Sequence, residues 1–67
     1  MSTELGDRLR NLRERAHLTQ KDVADYLSVG YSSYRRYEEQ SILPKTSDLI
    51  CLADLYDITV DELLDNM

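Results

Sequence analysis

The chain has 67 residues, a net charge of −5, and 42% hydrophobic and 31% charged residues, which is typical of one folded domain rather than a disordered segment. A chain of this size hides only roughly 60% of its unfolded surface, so we expect no enclosed pocket for a small-molecule ligand. One cysteine and one histidine exclude an internal disulfide framework and a four-ligand zinc site, and they suggest a reducing cytosol. The longest apolar run, 49–53, is far shorter than the roughly 20 residues that span a membrane.

The spacing of apolar residues predicts five short helices. The first runs from Thr3 or Glu4 to Ala16, and its inner stripe consists of Leu5, Leu9, Leu12 and Ala16. Thr19 is a predicted N-cap with Asp22 as its capping-box partner, so the second helix covers about 20–27. The inner face of this second helix consists of Val23, Ala24 and Leu27.

The remaining three helices follow at similar intervals. The third covers about 31–39 and turns Tyr34 and Tyr37 inward, and the helical spacing leaves open whether Glu38 joins them. Pro44 precedes the fourth, which runs from Thr46 or Ser47 to Tyr56 and buries Leu49, Leu52, Ala53 and Tyr56. Cys51 lies in its apolar run, and we expect a small core residue there. Thr59 and Glu62 form a capping box for the fifth helix, 60–65, whose inner residues are Leu63 and Leu64.

Charge is unevenly distributed along the chain. Residues 1–40 contain seven basic and seven acidic side chains, whereas residues 41–67 contain one base, Lys45, and six acids. The net charge alone argues against a nucleic-acid partner. Because the N-terminal part is neutral by itself, it is able to present a positive face while the acidic part lies elsewhere.

The segment from Thr19 to Glu38 has the length of a helix-turn-helix unit. Ala24 is small enough to let the third helix cross the second closely. Ser28 occupies the turn, where unusual backbone angles are needed, and Gly30 follows two residues later. The outward-facing residues of the third helix are then Tyr31, Ser32, Arg35 and Arg36.

Several separated motifs make the chain similar to the lambda-repressor-like family, also called the XRE or Cro/cI type. Residues 18–29, LTQKDVADYLSV, resemble the family's LTQ-x-x-LA-x-x-LGV run, and residues 34–38, YRRYE, resemble the YSRYE ending of its third helix. Pro44 and residues 49–64 are similar to its fourth- and fifth-helix pattern. The resemblance implies an all-α, five-helix bundle and a non-enzymatic, sequence-specific DNA-binding regulator whose third helix enters the major groove, usually as a symmetric dimer.

The resemblance also implies roles for individual residues. The positions that read base edges are Tyr31, Ser32 and Arg36. Arg36 has a guanidinium able to fork onto O6 and N7 of a guanine. The backbone-contacting positions are Gln20, which matches a phosphate-holding residue, together with Ser33 and Lys45. Lys21 adds positive charge for phosphates, and Arg35 is expected to reach a phosphate or a flanking base. Arg13 and Glu38 match a structural ion pair between the first helix and the end of the third.

Two departures from the family pattern leave a second hypothesis open. Ser28 stands where the family usually has glycine, and Glu39-Gln40 stands where Asn-Gly or Arg-Gly is common. A carboxylate at Glu39 would repel phosphates. The net charge and Glu39 favour a protein-interaction module that keeps the fold but binds DNA weakly or not at all, whereas Gln20 and the adjacent arginines Arg35 and Arg36 favour DNA.

The leading expectation is a single domain over 1–67 that represses transcription in a bacterial cytoplasm by binding double-stranded DNA as a homodimer. No metal, cofactor, small-molecule ligand or membrane is expected as a partner. The candidate dimer surface is the end of the fifth helix, with Leu64 and Met67, and the loop before it. The sequence also allows the chain to be one domain of a longer protein that senses a ligand elsewhere.

Overall fold

The computed structural model describes residues 5–64, which form five α-helices and, within that range, no β-strand. The helices are α1 (Leu5–Arg15), α2 (Gln20–Leu27), α3 (Tyr31–Glu39), α4 (Thr46–Leu55) and α5 (Val60–Leu63). The prediction of an all-α, five-helix bundle is confirmed. Two predicted features lie outside the described residues: a first-helix start at Thr3 or Glu4, and the contribution of Met67 to a dimer surface. The predicted extension of the fifth helix to Asp65 was wrong, because α5 ends at Leu63 and Leu64 is its C-cap.

Both predicted capping boxes are present. Thr19 Oγ1 accepts a hydrogen bond from the backbone N–H of Asp22 at 3.0 Å, and Asp22 Oδ2 accepts one from the backbone N–H of Thr19 at 2.9 Å. Thr59 and Glu62 repeat this arrangement at 3.0 and 2.9 Å. The first N–H groups of a helix have no partner within the helix, so these side chains fix where α2 and α5 begin.

Within residues 5–64, four residues other than glycine adopt left-handed backbone angles just after helices. They are His17 (φ 60°), Ser28 (φ 59°), Gln40 (φ 65°) and Asp57 (φ 58°). At His17 the reversal ends α1 at Arg15, and the backbone N–H of Leu18 then donates to the carbonyl of Arg13 at 3.1 Å. Ala16 therefore lies in the turn and is exposed, so its predicted place on the inner stripe of the first helix was wrong.

The core receives side chains from all five helices. Its buried apolar residues include Leu5, Leu9, Val23, Ala24, Leu27, Tyr34, Tyr37, Leu52, Ala53 and Leu63. Cys51 is exposed, which contradicts the prediction of a small core residue. The inner face of α4 follows the helical spacing of Leu49, Leu52 and Ala53, and that spacing places Cys51 on the outer side.

The start of α1 lies against the end of α3. Gly6 is buried there, and a Cβ atom at this position would overlap the carbonyl oxygen of Glu38 and lie 2.5 Å from Cγ of Gln40. The backbone N–H of Gly6 donates to Oε1 of Gln40 at 3.2 Å. This close approach of two backbones requires a residue without a side chain.

A buried ion pair ties the same two helices together farther along α1. Arg13 Nε lies 2.7 Å from Glu38 Oε2, and Arg13 Nη2 lies 3.2 Å from Oε1, with only 11% and 4% of the two side chains exposed. The Tyr34 hydroxyl donates to Oε2 at 2.6 Å, and Arg13 Nη1 donates to the carbonyl of Leu18 at 3.0 Å. Burial raises the pKa of Glu38, but hydrogen bonds from Arg13, Tyr34 and Gln20 outweigh it and hold the pKa below its ordinary value of 4.5.

Two tyrosines orient α3 on the core. Tyr34 and Tyr37 are buried, as predicted, and their rings meet edge to face with centroids 6.0 Å apart. The Tyr37 hydroxyl donates to Oδ2 of Asp48 at 2.6 Å, which joins α3 to the first turn of α4. Burial and this hydrogen bond raise the pKa of Tyr37 to about 12, so it remains a protonated donor at neutral pH. With these rings inward, the opposite face of α3 is exposed to solvent.

The close approach at Gly6 generates a stability prediction. Gly6→Ala should lower the free energy of unfolding by about 1–3 kcal/mol, because the added methyl group forces two packed backbones apart. Gly30→Ala is the matched control, since a Cβ there meets only Ser33 Oγ at 4.0 Å and its φ is −68°. We expect that variant to lose less than about 1 kcal/mol. Urea unfolding followed by circular dichroism measures both, and equal losses would contradict the steric explanation.

The ion pair generates a second prediction, about pH. Glu38→Gln keeps the size of the side chain but leaves the Arg13 guanidinium buried without a counter-charge, so the free energy of unfolding should fall by about 3–5 kcal/mol. A pKa that is depressed in the folded state stabilises the protein above 4.5, and this stabilisation is lost as the pH falls through the folded-state pKa. Urea unfolding between pH 7 and pH 3 should therefore show a shallower acid decline for Glu38→Gln than for the wild type. Parallel declines would mean that another carboxylate controls acid unfolding.

Candidate nucleic-acid interface

The exposed face of α3 carries two rows of side chains that the sequence predicted to contact DNA. Residues four apart on a helix are neighbours, so Tyr31 and Arg35 form one row, and Ser32 and Arg36 form the other. All four are exposed, whereas Ser33 is half-buried at the edge of this face. The structure thus brings the predicted base-reading residues onto one helix surface, with both arginines directed to solvent.

Gln20 and Tyr31, the first residues of α2 and α3, meet across the helix-turn-helix. The Tyr31 hydroxyl donates to Oε1 of Gln20 at 3.4 Å, and Nε2 of Gln20 donates to Oε1 of Glu38 at 3.0 Å. The Gln20 amide is therefore held between a buried carboxylate and an exposed tyrosine. Because an amide nitrogen carries two hydrogens, Gln20 keeps a second donor for an acceptor from outside, such as a phosphate oxygen.

An open groove of about 620 Å³ lies at the start of α2, lined by Arg13, Leu18, Thr19, Gln20, Lys21 and Tyr31. The first backbone N–H groups of α2 lie at this end of the helix, where the helix dipole favours negative charge. Two of the lining residues, Arg13 and Lys21, are cationic, although Arg13 is already paired with Glu38. The groove therefore joins the start of α2 to the exposed face of α3.

Two of the predicted phosphate-binding cations are paired within the chain. Lys21 Nζ lies 3.2 Å from Oδ2 of Asp25, and Arg35 Nη2 lies 3.3 Å from Oε2 of Glu39. The guanidinium of Arg35 also lies over the Tyr31 ring, with its Cζ 5.7 Å from the ring centroid. Exposed pairs of this kind contribute only about 0–1 kcal/mol, so a competing phosphate is able to replace the carboxylate.

Arg36 and Lys45 differ from those two cations. Both are exposed, and within residues 5–64 neither forms an ion pair. Lys45 is the N-cap residue of α4, and its ammonium group has only donors, so it cannot cap the backbone N–H groups of that helix. These two side chains therefore carry positive charge that no carboxylate in the described part of the chain neutralises directly.

Sequence reasoning missed the hydrogen bonds that couple the site to the core. Gln20 and Glu38 are 18 residues apart, so no local spacing signals their contact. The pairs Lys21–Asp25 and Arg35–Glu39 each span one helical turn, and that spacing was available as a signal.

Among residues 5–64, no group of three or more His, Cys, Asp or Glu side chains is placed to hold a metal ion. No helix in that range combines the length and the apolar character needed to cross a membrane. The donors and cations of α2 and α3 thus remain the candidate site.

Comparison of the sequence with known proteins yields a family and several relatives. A family model described as a helix-turn-helix domain matches residues 4–66. The chain is 38% identical over 60 residues to the HTH-type transcriptional regulator ImmR of Bacillus subtilis, covering 90% of this chain and 47% of that protein. It is 35% identical over 60 residues to the cryptic phage CTXphi transcriptional repressor RstR of Vibrio cholerae, covering 90% of this chain and 54% of that protein. The chain spans about half the length of the curated relatives it matches.

Solved structures share the architecture. The P22 c2 repressor, crystallised in complex with a synthetic operator, superimposes with a TM-score of 0.88 at 20% identity, covering 98% of this chain and 100% of that chain. A transcriptional regulator from Listeria innocua superimposes with a TM-score of 0.89 at 22% identity, covering 100% of this chain and 63% of that chain. At these identities the likeness establishes the fold. The family match over residues 4–66 shows that the chain belongs to the helix-turn-helix domain family, and its fold is that of the P22 c2 repressor.

Proposed function

We propose that the chain is a non-enzymatic, sequence-specific DNA-binding domain of a bacterial or phage-encoded transcriptional regulator that acts in the cytoplasm. The observation that carries this proposal is the exposed Ser32–Arg36 row on a helix whose other face is anchored by Tyr34 and Tyr37. The major groove of DNA admits one α-helix, and guanine presents there two acceptors that match the fork of a guanidinium. Arg36 has no ion pair within residues 5–64 that would compete with such a contact.

The proposal divides the site into two kinds of contact. Base edges are read by Arg36, with Ser32 and Tyr31 beside it on α3. The phosphate backbone is held by the side chains of Gln20, Lys21, Ser33, Arg35 and Lys45. Backbone contacts set position and supply affinity for any sequence, whereas base contacts select a sequence. Repression is the favoured outcome, since a bound domain obstructs polymerase simply by occupying an operator, and the relative RstR is named a repressor.

The proposed assembly is a homodimer that binds two half-sites. A single α3 offers only a few base-reading side chains, and a second copy doubles both the phosphate and the base contacts. The candidate surface is the end of α5 with the loop before it, where Leu64 is half-buried against the core. Symmetric dimers of helix-turn-helix proteins place half-sites about 34–36 Å apart, or at multiples of that distance.

One observation favours the second candidate function, a protein-interaction module. The pairs Lys21–Asp25 and Arg35–Glu39 reduce the positive charge of the face, and the whole chain has a net charge of −5. A surface of this kind binds DNA more weakly than its number of cations suggests. The salt dependence of binding separates the two functions.

The test of the proposed function is binding to random duplex DNA over a range of salt concentrations. Several phosphate contacts per dimer predict a log–log slope steeper than about −3. Selection of bound sequences from a random pool should then return inverted half-sites with a fixed spacing. Absence of binding at low salt, or a flat salt profile, would favour the protein-interaction module.

Two substitutions test the division of contacts. Arg36→Ala should relax the preference at one base position of each selected half-site by about 1–3 kcal/mol, because the guanine contact is lost. Lys45→Ala should weaken binding to all sequences alike and reduce the salt slope by about 0.9 per subunit. Fluorescence anisotropy with the selected duplex and its single-base variants measures both. If Arg36→Ala behaves like Lys45→Ala, then Arg36 contacts the backbone and not a base.

A further inference from the structure

We propose that Glu39 restrains DNA binding by withholding Arg35 from the phosphates. This inference rests on the proposed function, in which the exposed face of α3 lies against DNA. Glu39 is then an autoinhibitory residue that limits affinity for duplex DNA of any sequence.

The geometry places Arg35 between two neighbours on one row of α3. Tyr31 lies one turn before Arg35 on α3 and Glu39 lies one turn after it, and the guanidinium contacts both the Tyr31 ring and the Glu39 carboxylate. The Arg35 and Glu39 side chains are 49% and 52% exposed, so solvent and a polyanion reach the pair directly. The pair therefore occupies the same face that the phosphates of a bound duplex would approach.

A contribution to the stability of α3 does not explain why position 39 carries a carboxylate. Glu39 is the last residue of α3, where the partial negative charge of the helix dipole disfavours an acidic side chain. The order Arg35 followed by Glu39 is also the less favourable orientation for an ion pair one turn apart. Within residues 5–64, the only side-chain partner of the Glu39 carboxylate is Arg35. The adjacent Glu38 differs sharply, because its carboxylate is buried and accepts hydrogen bonds from three side chains.

The pair weakens phosphate binding in either of two ways. If Arg35 keeps its contact with Glu39 on DNA, the two charges cancel and no counterion is released from the duplex at that point. If Arg35 turns to a phosphate, it first gives up its contact with Glu39, and the free energy of that contact is subtracted from the free energy of phosphate binding. Binding to random duplex depends almost entirely on phosphate contacts, so this loss appears directly in affinity and in its salt dependence.

The experiment compares Glu39→Gln with the wild type and with a matched control, Asp54→Asn. The control also removes one negative charge, from an exposed side chain near the end of α4. Glu39→Gln should strengthen binding to random duplex about 5- to 10-fold near 0.1 M salt and steepen the log–log slope by about 0.9 per subunit, the effect of one additional phosphate contact. Asp54→Asn should change the affinity less than about 2-fold, because position 54 lies about 13 Å along α4 from Lys45 and exposed charges beyond a Debye length of about 10 Å are screened. Equal effects of the two substitutions would overturn the proposal in favour of net charge alone.

A double substitution tests whether Glu39 acts through Arg35. In an Arg35→Ala background, the gain from Glu39→Gln should fall to less than half of its value in the wild type; an undiminished gain would overturn the withholding mechanism. Unfolding curves of all variants show whether a change in folding contributes. If the wild type binds duplex DNA and Glu39→Gln leaves the affinity unchanged, this inference fails while the proposed function stands. If no variant binds at low salt, the proposed function itself fails.

Discussion

The buried carboxylate of Glu38 is the interaction on which the arrangement of the first three helices depends. A charge removed from water requires donors around it, and here they come from Arg13 on α1, Gln20 on α2 and Tyr34 within α3. Tyr34 is itself part of the apolar core, so its hydrogen bond to Glu38 connects the core to this group of polar contacts. The same carboxylate holds the side-chain amide of Gln20, which in turn accepts from Tyr31 at the solvent-facing surface. The orientation of the exposed face of α3 is consequently fixed by a group that solvent hardly reaches.

Features determined by neighbours in the sequence were predictable, whereas contacts between distant segments were not. The bounds of α2 and α3 followed from the capping box at Thr19 and from the apolar spacing, both of which act within a few residues. The pairing of Arg13 with Glu38 spans 25 residues and came only from the family resemblance. The contact of Gln20 with Glu38 depends on how three helices pack, and no sequence pattern encodes it. Cys51 was misplaced because a continuous apolar run cannot all face inward on a helix that has only one side against the core.

The electrostatic character of the candidate site is local and differs from that of the whole chain. All of the excess negative charge lies after residue 40 in the sequence, and α5 packs mainly on α4. The exposed face of α3 has two arginines of different character, since Arg35 is engaged by Tyr31 and Glu39 while Arg36 has no partner among residues 5–64. Fold alone does not decide what such a surface binds, because the same helix arrangement supports unrelated partners. What this surface binds therefore depends on which of the two arginines is already engaged, and by which group.

The left-handed turns at His17, Ser28, Gln40 and Asp57 have a consequence for how this domain tolerates change. A residue other than glycine in that conformation carries a steric penalty of roughly 1 kcal/mol. Four such turns occur between residues 5 and 64 of a chain whose total stability is expected to be modest. A substitution that removes this penalty at one of the four turns would therefore raise the free energy of unfolding. Glycine replacements at a corner such as Asp57, remote from α2 and α3 in the chain, would offset destabilising changes made elsewhere. Destabilising substitutions on the exposed face of α3 could thus be tolerated without loss of the folded domain.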